Sequence, residues 1–387
     1  MLTAMRPRPL SYLLLCVLTL GCLPCAMPAI AQSPGHFDAI DLRAALSPDE
    51  LAMRLASKRV VFIGETHNRY GDHLNQLALI ERLHTIHPDM AIGVEYFQQP
   101  FQQQVDDYID GRATESEFLR GTGYFEHWGF DYRLYAPIFR YARAQHIPVR
   151  ALNVPESLPS TVARVGIKGL SKEQRTYLPR QIEPAGKAYR ARLREAFQVH
   201  TGMKPGAFDH FVEAQLVWDE GMAASAASYL EAHPDRRMVI LAGSGHLAFG
   251  DGIPKRLERR THASYAIVLN GDDTIEPKMA DYVLLGKART LPAAGALGVG
   301  LDEVRGECRI RSLSRGGAAQ QAGLRKGDVL IAIDGQPIKT IADVHVALWD
   351  KKPGNRVRVE VRRRRLFRRA SESHFEVTLA GNALASR

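Results

Sequence analysis

Cysteine is almost absent from the body of this sequence of 387 residues. Cys16, Cys22 and Cys25 lie near the start of the chain, and only Cys308 follows them. A single cysteine cannot form a disulfide within the chain, so hydrophobic cores must supply the stability of the fold. No HExxH metal motif is present either. Any metal site must therefore be assembled from distant parts of the sequence.

Long apolar runs are also scarce, and the only one, residues 10–23, follows two arginines and precedes Ala-Ile-Ala at residues 29–31. A basic start, a short apolar run and an A-x-A site are typical of a secretory signal peptide. We therefore expect residues 1–31 to be removed on export to the periplasm or cell envelope. The alternative is lipidation of Cys22, because residues 20–22 resemble part of a lipoprotein box. No later run is long enough to span a bilayer.

Acidic residues are sparse in the C-terminal part of the chain, whose overall net charge is +9. Residues 286–387 hold 20 Lys and Arg against 10 Asp and Glu, whereas residues 32–285 hold 29 against 32. The most basic run is Arg362–Arg369. It is either a solvated arginine-rich hairpin or a surface for anionic envelope lipid. Because exported proteins seldom meet nucleic acid, we expect no nucleic-acid partner.

Short apolar runs alternate with amphipathic stretches between residues 37 and 285. Each run is rich in β-branched residues and has the length of a buried strand. The runs are residues 60–63, 91–94, 149–152, 238–242 and 265–269. The longest helical patterns between them are residues 73–87, 132–146 and 208–233, with a further helical insertion over 158–197. This alternation predicts an α/β domain with a largely parallel sheet and flanking helices.

Polar residues follow four of these predicted strands. They are Glu65, His67, Glu95, Asn153 and His246. Open parallel sheets bind ligands outside the carboxyl ends of their strands, so we expect these residues to share one site.

Two kinds of chemistry fit the four charged or titratable members of this set, Glu65, His67, Glu95 and His246. Glutamate and histidine are ligands of divalent metals. A glutamate beside a histidine can instead activate water as a general base. The sequence leaves both a metal centre and a hydrolytic centre open, and the metal interpretation depends on the inferred convergence of these residues alone.

Several motifs carry a family resemblance that extends over about residues 45–270. They are GETH (64–67), VEYF (94–97), FDYRLYAPI (130–138), QLVWDEGMA (215–223) and AGSGHL (242–247). In order and spacing they resemble the ChaN family of haem-binding uptake proteins, part of the Tiki/TraB/erythromycin-esterase superfamily. The polar residues at the strand ends fall on the characteristic positions of that family.

The resemblance implies a haem cofactor, a tyrosine as iron ligand and subunits paired around the cofactor, in an iron-uptake role. The tyrosines near the predicted site are Tyr70, Tyr96, Tyr124, Tyr132 and Tyr135. Ligand contacts are expected from Asn153 and from Arg133, Gln215 and Asp219 of the matching motifs. Because superfamily relatives hydrolyse esters or peptides, a metal- or water-activating hydrolase is the alternative.

A different pattern begins near residue 292, after a linker of small residues. The order of its glycines, strands and one helix predicts a small β-rich domain over 292–380, which resembles the PDZ modules of bacterial envelope proteases. Leu297, Gly298 and Val299 occupy the loop whose amides would bind a terminal carboxylate. The peptide would add as a strand beside a helix that carries His345 and Leu348. Such a module would recruit a peptide or protein C-terminus, unless its groove serves contacts within this protein.

Overall fold

A computed structural model describes residues 45–198, 207–271, 275–365 and 368–382. The predicted signal peptide and Cys22 lie outside the described residues, so their processing stays a prediction. In the described ranges, no helix combines the length and the apolar character needed to cross a membrane.

The first sheet is parallel throughout, as the sequence predicts. Its strands are β1 (Val60–Glu65), β2 (Met90–Gln98), β3 (Val149–Asn153), β4 (Arg237–Gly243), β5 (Tyr265–Asn270) and β6 (Tyr282–Leu284). They are ordered β3-β2-β4-β1-β5-β6 across the sheet. Each pairing between neighbours is parallel. The sequence analysis did not predict β6, a strand of only three residues in a short apolar run that no helical pattern precedes.

Helices cover both faces of this sheet. They are α1 (Pro48–Leu55), α2 (Tyr70–Ile86), α3 (Gln102–Ile109), α4 (Glu115–Gly121), α5 (Tyr124–His127), α6 (Ala136–Ala144), α7 (Ser157–Val165), α8 (Lys172–Arg175), α9 (Lys187–Gln198), α10 (Ala207–Ala232) and α11 (Ile253–Thr261). The helical insertion contains α7, α8 and α9, and side chains of α7 pack against α10.

Alternate side chains of each strand enter two different cores. In β1, Val61 and Ile63 pack with α1, α2 and α6, whereas Val60 and Phe62 pack with α10 and α11. Burying one such side chain stabilises the fold by about 1.5–3 kcal/mol. Strands buried on both faces are nearly continuous apolar runs, which explains why the sequence signal is clear.

The second domain is rich in antiparallel strands, in agreement with the predicted PDZ-like module. Its strands are β7 (Ala294–Ala296), β8 (Val299–Val304), β9 (Glu307–Leu313), β10 (Val329–Ile333), β11 (Gln336–Pro337), β12 (Arg356–Arg365), β13 (Arg368–Thr378) and β14 (Ala380–Asn382). The main sheet has the order β13-β12-β10-β9-β8, so β8 lies at its edge. Two helices, α12 (Ala318–Gln321) and α13 (Ile341–Leu348), accompany it. Thr340 and Asp343 form a capping box at the start of α13.

The arginine-rich run forms part of a hairpin, because β12 and β13 pair antiparallel. Arg362 donates to Glu307 and Arg363 to Asp328, each over 2.7 Å. These two guanidinium groups therefore contact carboxylates of their own domain, and nothing among the described residues supports a lipid contact.

Candidate functional site

The polar residues that follow the predicted strands meet at one edge of the parallel sheet. β2, β4 and β1 lie side by side, and their carboxyl ends reach the same edge. Glu65 ends β1, Glu95 lies in β2, and His246 lies in a short 3-10 turn after β4. The structure brings these residues together, and their role in binding or catalysis stays a prediction.

Glu65 and His67 form the first carboxylate–imidazole pair. Nδ1 of His67 lies 2.6 Å from Oε1 of Glu65, which is 1% exposed. Burial raises the pKa of Glu65, although the bond to His67 opposes that rise. For His67, burial alone would lower the pKa, but the Glu65 hydrogen bond and the Glu95 charge raise it above the ordinary value. His67 therefore keeps its positive charge to a higher pH than an ordinary histidine.

His73 of α2 contacts both residues of this pair. Its Nε2 lies 3.1 Å from the backbone oxygen of His67 and 3.6 Å from Oε2 of Glu65. Burial lowers the pKa of His73 to about 4, so its ring is neutral at neutral pH. Since a carbonyl oxygen only accepts, Nε2 carries the proton and holds the backbone of His67 in place.

His246 contacts two carboxylates, and the nearer one, that of Asp219, completes the second carboxylate–imidazole pair. Its Nδ1 lies 2.7 Å from Oδ1 of Asp219, and its Nε2 lies 3.5 Å from Oε1 of Glu95. Asp219 is fully buried and also accepts a hydrogen bond of 2.6 Å from the Tyr189 hydroxyl. Burial disfavours charge on His246, but Glu95 and Asp219 together raise its pKa to about 9. At neutral pH this imidazole is a cation that can donate a proton.

Backbone groups fix Glu95 between the two histidines. Oε2 of Glu95 accepts the N–H of Gly243 over 2.7 Å, and the Asn153 amide donates to the Glu95 backbone oxygen over 3.1 Å. A Cβ on Gly243 would lie 2.9 Å from Cε1 of His67. Glycine is thus the residue that lets the imidazole of His67 lie against the end of β4.

A cavity of about 410 Å³ opens over these groups, and we call it the rim cavity. Its wall includes His67, Glu95, Asn153 and His246 together with Tyr96, Trp128, Phe130 and Trp218. The ring of His67 lies 4.8 Å from that of Trp128 and 4.9 Å from that of Phe130. Aromatic walls beside the imidazoles of His67 and His246 suit a flat apolar molecule that carries a few polar groups.

A second cavity, of about 640 Å³, lies beside the rim cavity, and Phe130 borders both. We call it the Tyr70 cavity, because Tyr70 is the one of the five candidate tyrosines in its wall. Arg69, Lys287 and Arg289 also line it. None of these three cations has an ion-pair partner among the described residues.

The other candidate tyrosines are buried. Tyr96 is 3% exposed, and Tyr124, Tyr132 and Tyr135 are at most 1% exposed. Burial raises the pKa of all four phenols well above the ordinary value. Tyr70 alone is half-buried at the surface of a cavity.

Three predicted ligand contacts do not line the rim cavity. Arg133 is bonded to Asp131 and donates to the backbone oxygen of Pro292 over 2.6 Å, so it lies beside the Tyr70 cavity. Gln215 is half-buried one turn before Asp219 and does not line the rim cavity. Asp219 supports His246 from within the core and has no exposed surface of its own.

The sequence analysis missed His73, Trp128, Phe130 and Tyr189. His73 begins the helix predicted after GETH. A histidine at the start of that helix, close to the predicted site, was the signal that could have identified it. Trp128 and Phe130 flank Gly129 in a loop, where no periodicity marks which side chains are buried. Tyr189 comes from the insertion, which sequence reasoning could not place against α10.

The metal interpretation gains no support. Within the described ranges, no three or more His, Cys, Asp or Glu side chains are arranged to hold a metal ion. Nδ1 of His67 and Nδ1 of His246 are instead engaged with carboxylates in the two pairs.

The five residues predicted to bind a peptide line one cavity of about 550 Å³ in the second domain. They are Leu297, Gly298, Val299, His345 and Leu348. Gly298 has a φ of +70°, a conformation that turns the loop tightly and favours glycine. We call this cavity, between β8 and α13, the peptide groove.

Replacing Asp219 with asparagine should lower the pKa of His246 from about 9 toward its ordinary value, because the buried negative charge is lost. The raised pKa stabilises the fold fully below the unfolded value of 6.5, and this stabilisation is lost as pH rises through 9. In Asp219→Asn, the free energy of unfolding should therefore fall less than in the wild type between pH 6.5 and about pH 9. Histidine NMR titration and denaturation at several pH values measure both effects. Asp235→Asn, at an exposed position, is the control, and an unchanged His246 titration would contradict the assignment.

Comparison with known proteins agrees with the architecture. The family model described as haem-binding uptake, Tiki superfamily, ChaN, matches residues 51–257. The PDZ domain model matches residues 295–379. The chain belongs to the ChaN-like haem-binding family of the Tiki superfamily. We call the part matched by that family, residues 51–257, the family domain, and the PDZ domain follows it.

Individual relatives are distant. The chain is 24% identical over 229 residues to protein RETICULATA-RELATED 5, chloroplastic, of Arabidopsis thaliana, covering 54% of this chain and 30% of that protein. It is 34% identical over 73 residues to the serine protease Do-like HtrA of Lactobacillus helveticus, covering 19% of this chain and 16% of that protein. The chain thus spans less than a third of the length of these curated relatives. The structure of ChaN of Campylobacter jejuni, which binds haem cofacially, is 17% identical with a TM-score of 0.52, covering 63% of this chain and 93% of that one. At that identity the likeness shows the fold.

Proposed function

We propose that the protein binds haem or a related iron porphyrin at the edge of the parallel sheet, with Tyr70 as the iron ligand. The PDZ domain would recruit a partner through its C-terminal peptide. The observation that carries the haem assignment is that Tyr70 is the half-buried candidate, in the wall of a cavity next to the rim cavity. Tyr96 and Tyr124 line the rim cavity but are at most 3% exposed, and Tyr132 and Tyr135 are fully buried.

The residues of the Tyr70 cavity fit a haem group. A phenolate is a sound ligand for ferric haem, and a phenol must reach the cavity to coordinate iron. Arg69, Lys287 and Arg289 offer cations to the two propionates, since no described residue pairs with them. A volume of about 640 Å³ lies within the usual range of small-molecule and cofactor sites. Phe130 adds an aromatic surface for a flat macrocycle.

Bound haem would supply redox or storage chemistry of its iron, and this chain would bind, orient and shield it. His67 and His246 would present imidazole groups at the neighbouring rim cavity, each held in place by a buried carboxylate. Tyr70 would hold the iron, and Phe130 would close one side of the site.

Hemin titration of the purified full chain tests the proposal. We expect the Soret band to shift and sharpen with each addition and to saturate at a fixed stoichiometry. An unchanged hemin spectrum at equimolar protein would contradict haem binding. The stoichiometry also tests pairing of subunits around the cofactor, which stays a prediction.

A hydrolytic role is the second candidate, favoured by the two carboxylate–imidazole pairs that face the rim cavity. His246 is protonated at neutral pH and could serve as an acid, so His67 with Glu65 would have to supply the base. Since the pKa of His67 is raised, activity should increase with pH and level off at a higher pH than an ordinary histidine base would give. Assays on generic ester and peptide substrates measure this. Activity that is equal in the wild type, Glu65→Gln and His246→Ala would exclude these residues as the catalytic centre.

The cellular setting of the proposal comes from the first 31 residues. Their signal-peptide pattern supports export to the periplasm or cell envelope. There the protein would meet both haem from outside the cell and the C-termini of envelope proteins.

A further inference from the structure

The peptide groove is not built by the PDZ domain alone. β8, at the sheet edge, and α13 form its two sides, as an added peptide strand requires. Phe125, Phe130, Asp131 and Arg133 of the family domain line the same cavity. The ring of Phe125 stacks on that of His345, with centroids 5.3 Å apart and planes 26° apart.

Contacts around the groove hold α13 against the family domain. Arg120 forms an ion pair of 3.2 Å with Asp343 and donates to Gln336 over 2.9 Å. The rings of Tyr132 and Trp349 lie 5.1 Å apart in an edge contact. Val346 of α13 is buried in the core of the family domain. The width and lining of the groove therefore depend on both domains.

The lining of the groove indicates the chemistry of its occupant. A terminal carboxylate would meet the turn at Gly298, and its last side chain would enter an apolar pocket. That pocket is walled by Leu297, Val299, Val344 and Leu348 on one domain and by Phe125 and Phe130 on the other. Asp131 and Arg133 form an ion pair, so their opposite charges offset each other in the wall of the groove.

Phe130 also connects the groove with the candidate ligand site. It lines the peptide groove, the rim cavity and the Tyr70 cavity. Its ring lies 4.9 Å from that of His67. A peptide side chain that packs on the Phe130 ring from the groove would hold the ring where it borders the Tyr70 cavity. Haem in the Tyr70 cavity then no longer has to order the ring, so each occupant should favour the other.

We propose that the groove is a composite site for peptides with a free, apolar C-terminus, recognised jointly by the PDZ domain and by Phe125 and Phe130. Phe130 links occupancy of the groove to haem binding in the Tyr70 cavity. This inference rests on the peptide- and haem-binding roles proposed above. It goes further in assigning specificity and coupling to residues of the family domain.

Fluorescence anisotropy with labelled decapeptides tests the composite groove in the full chain. The peptides vary the last residue over all amino acids and carry either a free or an amidated C-terminus. We expect apolar residues with a free carboxylate to bind best, and Phe125→Ala and Phe130→Ala to weaken the best binder roughly 10-fold. Phe101→Ala, at a half-buried aromatic outside the groove, is the matched control. Thermal unfolding confirms that each variant is folded.

The outcomes separate the two levels of the proposal. Binding by none of the peptides would overturn both recruitment and the composite groove. Binding that is unaffected by Phe125→Ala and Phe130→Ala would leave recruitment standing and overturn the composite groove.

Saturating hemin should tighten peptide binding by about 5-fold or more in the wild type, and the peptide should tighten hemin binding by the same factor. Phe130→Ala should abolish this coupling. If hemin binds and peptide affinity is unchanged or weaker, the coupling is wrong. If hemin does not bind at all, the haem proposal and the coupling fail together, and the alanine variants still decide the composite groove.

Discussion

Tyr70→Phe should lose nearly all specific haem binding, with an affinity lower by roughly 100-fold or more. Loss of a residue that hydrogen-bonds to a metal ligand lowers metal affinity about 10- to 100-fold. Removal of the ligand itself should lower haem affinity at least as much. The substitution deletes one hydroxyl at the wall of an open cavity, so the fold should be unaffected. Hemin titration followed by absorbance compares the variant with the wild type.

Tyr177→Phe is the matched control, because Tyr177 is exposed and does not line the Tyr70 cavity. It should bind hemin as the wild type does. Equal hemin affinity in Tyr70→Phe and Tyr177→Phe would show that the iron has another ligand. Tyr96 and Tyr124, which line the rim cavity, would then be the next tyrosines to test.

Glu220→Gln should have the largest effect on stability, at about 3 kcal/mol, because it leaves the buried guanidinium of Arg256 without its carboxylate partner. Glu220 of α10 is fully buried and pairs with three arginines of α11, Arg256, Arg259 and Arg260. Arg256 is 2% exposed and cannot be compensated by water. This cluster joins the two helices that cover one face of the sheet.

Denaturant unfolding measures the loss, and Glu231→Gln is the control, since Glu231 lies exposed on the same helix. Glu231→Gln should change the unfolding free energy by less than about 0.5 kcal/mol. A loss in Glu220→Gln no larger than in this control would show that the cluster contributes little to the fold.

The parallel sheet was predictable because its strands are buried on both faces and leave unbroken apolar runs. The meeting of Glu65, Glu95 and His246 followed from a general property of parallel sheets, whose carboxyl ends share one edge. The choice among five tyrosines did not follow, because burial depends on how α2, α5 and α6 pack. Tyr70 and Tyr135 look equivalent in sequence, yet one borders a cavity and the other is buried.

The junction between the domains was also beyond sequence reasoning. Phe125 and His345 are far apart in the chain, and neither carries a motif that predicts their contact. The sequence analysis left open whether the PDZ groove binds free peptide or serves contacts within the protein. In the structure the groove both keeps an open cavity and contacts the family domain.

A crystal structure of the full chain grown with hemin tests the central claim most directly. We predict porphyrin density in the Tyr70 cavity, with iron bonded to the Tyr70 oxygen and the propionates near Arg69, Lys287 or Arg289. Porphyrin density elsewhere, or iron bonded to a residue other than Tyr70, would contradict the account.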